Sequence, residues 1–271
     1  MKIVFIGGGN MATAIVGGLL QQGFQPDDIG IVEVVPDARK RLIEQFSVHV
    51  FAEFSTALLA APVLVFAVKP QQLAEVASTL AGKLSSQLII SIAAGIRSTD
   101  LSRWLGGYQN IVRVMPNTPA LVQAGVAGLF AFVQVSADDR ARAEALMRAV
   151  GEVIWVNDEA AIDAVTAVSG SGPAYVFYFI EALERAAREL GLDAAVARTL
   201  SLHTFNGAAK LALGSDESAA VLRERVTSKG GTTECALLAL QQAEVDKKFI
   251  DAVRQAALRS RELGDEFGKS R

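Results

Sequence analysis

The 271-residue sequence holds one cysteine, Cys235, and two histidines, His49 and His203. A single thiol excludes an intramolecular disulfide and suits a reducing compartment, so a cytoplasmic protein is expected. Two histidines without a cysteine cluster leave no ligand set of the usual zinc type, and no metal centre is expected. Charge of one sign is lacking too: 26 Lys and Arg face 29 Asp and Glu, a net charge of -3 that gives no electrostatic reason to expect nucleic acid. Long hydrophobic runs are absent, although 51% of the residues are hydrophobic. The most apolar stretches, such as APVLVFAV (61–68), have the length of a strand and fall far short of the ~18–20 residues that cross a bilayer. No leader is expected either, because Lys2 runs straight into a strand-like segment. The apolar content is expected instead in a sheet covered on both faces and in helices that pack on a second subunit.

What is present is an ordered change of texture. Up to about residue 158, strand and helix signals alternate, with strand candidates at 2–6, 29–34, 48–51, 62–68, 88–94, 110–115, 126–132 and 152–156. A helical pattern such as PQQLAEVASTLAGKL (70–84) separates the early ones, and several strands are continuous apolar runs. This predicts an α/β fold with an N-terminal Rossmann-like doubly wound sheet over 1–158. From 159 to 271 no strand-like run remains, and helical spacing extends over 160–190, 194–213, 216–225 and 233–265. An all-helical C-terminal domain follows, with DEFGKSR expected to fray.

The chemistry-bearing stretches begin with KIVFIGGGNMA, a strand, a glycine turn and a helix start. Gly7-x-Gly9-x-x-Ala12 has the pattern in which the first glycine makes a tight turn, the second admits a pyrophosphate and the small third residue packs helix on strand. Gly7, Gly9, Asn10, Met11 and Ala12 are therefore candidate dinucleotide contacts, with helix-start N–H groups facing the phosphates. Glu33 ends the second strand, where an acid favours a free ribose 2′-hydroxyl, yet Arg39, Lys40 and Arg41 follow and could attract a 2′-phosphate. The choice between NADH and NADPH stays open at this point. FAVKPQ places Ala67, Val68, Lys69 and Pro70 at the carboxyl end of the fourth strand, either as cofactor contacts or with Pro70 simply opening the next helix. SIAAGI ends the fifth strand on Ala93, Ala94 and Gly95, small enough for close approach, and RVMPNTPALV sets Asn117 in a proline-stiffened loop on the same rim. In SGSGP the residue two before Ser171 is a serine and the flanks are helical, so a hydrolase elbow is set aside in favour of close helix packing. VTSKGGTTECALLAL groups Ser228, Thr232 and Thr233 hydroxyls with the N–H groups of Gly231 to Thr233 at a helix start. That combination suits a small carboxylate, and an ordinary helix start capped by Thr232 is compatible with it.

Taken in order, GGGNMA, FAVKPQ, SIAAGI, RVMPNTPALV, DAVTAVSGSGPAYVF and VTSKGGTT resemble the pyrroline-5-carboxylate reductases. The resemblance implies a Rossmann domain followed by a helical dimerisation domain, NADPH or NADH as cofactor, and reduction of Δ1-pyrroline-5-carboxylate to L-proline by a homodimer or larger assembly. It implies that Ser228 and Gly231 to Thr233 hold the substrate carboxylate, that Thr233 lies near the imine nitrogen as the catalytic hydroxyl, and that Glu159 lies near the substrate. Three positions depart from the family pattern: Lys229 where TSPGG has proline, Phe54 where an asparagine is common, and Glu33 itself. A β-hydroxyacid dehydrogenase is the alternative enzyme, but 160–180 contains no lysine to act on an alkoxide. A non-catalytic dinucleotide-binding protein is the other alternative, and it would not need the hydroxyl-rich loop.

Overall fold

A computed structural model describes residues 2–269. The elements run β1 (Ile3–Ile6), α1 (Asn10–Gln21), β2 (Ile29–Val32), α2 (Pro36–Phe46), β3 (His49–Phe51), β4 (Val63–Phe66), α3 (Pro70–Ser78), β5 (Leu88–Ser91), α4 (Ser98–Trp104), β6 (Ile111–Met115), β7 (Gly125–Ala131), α5 (Ala137–Arg148) and β8 (Gly151–Trp155). Helices complete the chain: α6 (Ala161–Val165), α7 (Gly172–Glu189), α8 (Ala194–Leu213), α9 (Ala219–Arg225), α10 (Thr232–Gln242) and α11 (Val245–Gly268). It divides into two compact units, one reaching to Ser171 and rejoined by the end of the chain from Gln255, the other Gly172–Arg254. The change from strands to helices near 158 and the change of compact unit at Ser171 are therefore different boundaries.

All eight expected strands form one sheet in the order β3-β2-β1-β4-β5-β6-β7-β8. β1, β2, β4 and β5 are buried at every position, as continuous apolar runs require when helices cover both faces. The order reverses between β1 and β4, and all pairs are parallel except β6 with β7. One core gathers around Phe5, Ile15, Leu19 and Ile31, and the opposite one around Phe66, Leu64, Leu73 and Leu101. Phe54 packs against that second core. α1 turns Ala12, Ile15, Val16 and Leu19 inward, the i, i+3, i+4, i+7 stripe of a surface helix.

The helices differ from their sequence outlines where hydroxyls, glycine or proline intervene. The pattern over 70–84 ends as α-helix at Ser78, because the Ser78 and Thr79 hydroxyls donate back to the carbonyls of Ala74 and Val76 and the chain tightens into turns. The 160–190 stretch is not one helix: a π-helical turn at Thr166–Gly170 separates α6 from α7, with Ser171 N–H donating to Thr166 O at 2.8 Å. Pro173 lacks the N–H that a continuous helix would use there. The 233–265 stretch breaks at Glu244, whose φ of +51° ends the helical ladder. The expected fraying of 265–269 is overturned up to Gly268, because Arg97 pairs with Asp265 at 2.6 Å and Arg103 Nη2 donates to Gly268 O. The two residues after Lys269 lie outside the described residues. No helix among the described residues is long and apolar enough to cross a membrane.

Candidate active site

At the carboxyl edge of the sheet, β1 ends on Gly7 with φ +106°, where a Cβ would lie 2.8 Å from the backbone of Ala67 and Val68. Only glycine lets this turn rest on the end of β4, and it brings Gly7, Ala67 and Val68 together. Gly9 does the opposite job: nothing lies within 4 Å of where its Cβ would be. Gly9 is also the N-cap of α1 and carries no side-chain cap. The first N–H groups of the helix, on Asn10, Met11 and Ala12, thus open onto a bare glycine surface, an arrangement that fits a pyrophosphate. Ala12 is buried beneath it.

Glu33 follows β2 directly and turns back to this loop. Its Oε2 accepts Gly8 N–H at 3.0 Å and its Oε1 accepts Val35 N–H at 2.8 Å. Arg39 Nη1 donates to the carbonyls of Glu33 and Val34 at 3.0 and 2.8 Å. Past β4, exposed Lys69 is the N-cap of α3 and Pro70 its first residue, so the proline does start a helix. Past β5, Ala93 is buried, Ala94 is exposed, and Gly95 has φ +72°. A Cβ on Gly95 would sit 3.2 Å from Leu263 and Phe267, so its smallness serves the fit of α11.

Two residues proposed from sequence are engaged inside the first unit. The Asn117 carboxamide accepts Val126 N–H at 2.9 Å and donates to Ser169 O and Oγ at 3.3 and 3.2 Å, joining β7 to the π-helical turn. Glu159 Oε1 accepts Ser98 N–H at 2.6 Å and Arg113 Nη1–H at 2.9 Å. Arg113 is 5% exposed, so this ion pair is nearly out of water. Sequence reasoning passed over Arg113 and Ser98. The available signal was a guanidinium in the middle of the apolar run NIVRVM, which a buried strand tolerates only with a partner.

The hydroxyl-rich loop belongs to the second unit. Gly230 has φ +71°, its N–H donates to Glu234 Oε2 at 2.6 Å, and Gly231 N–H donates to Ser228 O at 3.0 Å. A Cβ on Gly231 would come within 2.6 Å of Ser228 Oγ, so this glycine leaves room for the serine hydroxyl. Thr232 is not the cap: Gly231 is, with no side-chain cap bond, and α10 opens on Thr232 and Thr233. The Gly231 N–H is already donated, which leaves the N–H groups of Thr232 and Thr233 and the Ser228 hydroxyl as the loop's remaining donors. Lys229 is exposed on the same loop. No group of His, Cys, Asp and Glu that could hold a metal ion occurs among the described residues.

Comparison with known proteins identifies the family. A family model described as pyrroline-5-carboxylate reductase dimerisation matches residues 159–263, and one described as NADP oxidoreductase, coenzyme F420-dependent, matches 2–95. A pyrroline-5-carboxylate reductase of Pseudomonas aeruginosa is 44% identical over 99% of this chain and 98% of its own length. The chain belongs to the pyrroline-5-carboxylate reductase family. The solved reductase from Coxiella burnetii agrees with a TM-score of 0.91 at 44% identity, covering 97% of this chain and 98% of that one. The Plasmodium falciparum enzyme, solved with NADP bound, agrees with a TM-score of 0.85 at 28% identity, covering 97% of this chain and 98% of that one. The helical region 159–263 thus matches the family's dimerisation domain, and the N-terminal sheet is an NAD(P)-binding Rossmann-like one.

Proposed function

We infer that this chain is a pyrroline-5-carboxylate reductase of proline biosynthesis, an NAD(P)H-dependent oxidoreductase that converts the cyclic imine Δ1-pyrroline-5-carboxylate to L-proline. The observation that carries the reading is the relationship to the Pseudomonas reductase over nearly the whole length of both chains, which includes the dinucleotide turn and the hydroxyl loop alike. It displaces the β-hydroxyacid dehydrogenase and the non-catalytic alternatives.

When bound, the reduced nicotinamide supplies the hydride that saturates the imine carbon. Gly7, Gly9 and the helix-start amides of Asn10, Met11 and Ala12 hold the dinucleotide's phosphates, with Glu33 beside the adenosine ribose. The turns Ala67–Pro70 and Ala93–Gly95, with Asn117 behind them, form the rim for the nicotinamide half. Ser228 and the N–H groups of Thr232 and Thr233 hold the substrate carboxylate at the start of α10, where the helix dipole favours an anion. The Thr233 hydroxyl orients the imine nitrogen. Gly231 acts by leaving space for Ser228, and Glu159 acts at a distance by fixing the loop at Ser98. A cyclic imine can bind already protonated, so positioning is the main task, worth on the order of 7 kcal/mol or more in favourable cases. The working unit is a homodimer or larger, in the cytoplasm, with the substrate as its small-molecule partner.

The test is loss of dihydronicotinamide absorbance with pyrroline-5-carboxylate, with proline identified as the product. Turnover is expected; folded protein that oxidises neither cofactor in the presence of substrate would overturn the reading.

A further inference from the structure

We propose that Glu33 makes this enzyme select NADH over NADPH, an inference that rests on the reductase reading above. The sheet order sets the geography. A dinucleotide centred on the Gly7–Gly9 turn lies across the carboxyl ends of the strands, with its two halves on either side of β1. β4 and β5 lie on one side of β1, and β2 lies on the other. The residue that follows β2 therefore stands beside the adenosine ribose, and that residue is Glu33.

The Glu33 carboxylate does not swing freely. Gly8 N–H holds one oxygen at 3.0 Å, and Val35 N–H holds the other at 2.8 Å. Each oxygen keeps a lone pair, because a carboxylate accepts about four hydrogen bonds in all. The remaining acceptor sites can take the ribose hydroxyls. A 2′-phosphate brings a charge of about −1.5 to −2 and further acceptor oxygens to the same place. It meets a fixed negative group that has no proton to offer and that two backbone bonds hold in position.

The nearest cations already have partners. Arg39 Nη1 is turned onto the backbone carbonyls of Glu33 and Val34, and Lys40 faces Glu44 at 3.8 Å. Asp37 in the first turn of α2 adds a second negative group to this end of the helix. Arg41 is the remaining cation of the run and is exposed on α2. It can screen the repulsion, but the ribose-facing acceptor itself stays in place.

Equilibrium binding reads this without turnover. The full-length protein is titrated with NADH and with NADPH, following dihydronicotinamide fluorescence at low and at moderate salt. NADH is expected to bind tighter by on the order of tenfold. The gap should narrow as salt rises, because like-charge repulsion is screened. Glu33→Gln keeps an acceptor for Gly8 N–H and removes the charge, so the gap should close, mainly through tighter NADPH binding. Glu33→Ser should close it in the same direction, with weaker NADH binding. NADPH binding as tight as NADH in the unaltered protein would overturn the proposal while leaving the reductase reading intact. So would a ratio that Glu33→Gln leaves unchanged. Folded protein that binds neither dinucleotide would sink the reductase reading and this inference with it.

Discussion

The two compact units of this chain solve opposite problems. The first closes its own core: Phe5, Ile31, Leu64 and Phe66 are completely enclosed, and both faces of the sheet are covered. The second, Gly172–Arg254, encloses only Ala197 and Ser201 among its residues. None of α7, α9 and α10 has a buried residue, while Phe177 and Tyr178 are 65% and 69% exposed and Leu190, Leu211 and Leu213 stand in the open. A helical unit with so little enclosed apolar surface cannot repay the entropy of ordering its own chain. Its sequence is written for a partner, in agreement with the dimerisation domain that it matches. The first unit is stable by its interior, and the second by what covers its exterior.

The largest break in this comparison should come from charging the open face. Phe177→Asp combined with Tyr178→Asp is expected to convert the dimer to monomer in sedimentation analysis and to remove nearly all turnover, with dinucleotide binding by the first unit kept. A variant that stays dimeric would show that this face is not the covered one. Next is the ion pair that ties the first unit together. Arg113→Met strands the Glu159 carboxylate beside Ser98, and loss of one partner of such a buried pair costs roughly 3–5 kcal/mol in denaturant unfolding. Arg113→Met with Glu159→Leu should regain much of that loss. An undiminished loss in the double variant would mean that packing, rather than the stranded charge, sets the cost.

A smaller contrast separates the proposed dinucleotide turn from the proposed substrate loop. Gly7→Ala forces a Cβ against the backbone of Ala67 in a left-handed conformation and should weaken dinucleotide binding, leaving the 228–233 loop unaffected. Thr233→Val should leave dinucleotide binding unchanged while raising KM for the imine and lowering kcat, each on the order of tenfold. Unchanged kinetics would remove Thr233 from the site.

Local pattern made the sheet legible. Apolar runs bounded by turn residues mark all eight strands, and the Gly7–Gly9 spacing marks the glycine turn and open helix start, because both depend on neighbours in sequence. The features that could not be read depend on distant partners. The antiparallel β6–β7 pair follows from how the chain returns through 116–124, a stretch whose composition says loop and nothing of direction. The tie from Glu159 to Ser98 and Arg113 spans 61 and 46 residues of sequence, and Glu33 finds Gly8 across 25. Helix ends escape local pattern for a related reason. Periodicity alone carries 160–190 and 233–265 through as single helices, and the breaks sit at the π-helical turn before Gly172 and Pro173 and at one residue in a left-handed conformation.

That last residue gives the smallest effect and the finest test of the comparison. Glu244 holds φ +51° between α10 and α11, where an L side chain costs about 1–2 kcal/mol relative to glycine. Its carboxylate pairs with Lys247 on an exposed turn, an interaction worth little on its own. Glu244→Gly therefore relieves the strain, gives back part of the gain as extra freedom of the unfolded chain, and should stabilise the protein by less than about 1 kcal/mol. If the second unit owes its stability to a partner, that gain should appear as a small rise in thermal midpoint whose size does not change with protein concentration. The midpoint itself should climb with concentration in the parent and the variant alike. A midpoint indifferent to concentration in both would mean that the helices hold together without a second copy, and the contrast between the two units would fail.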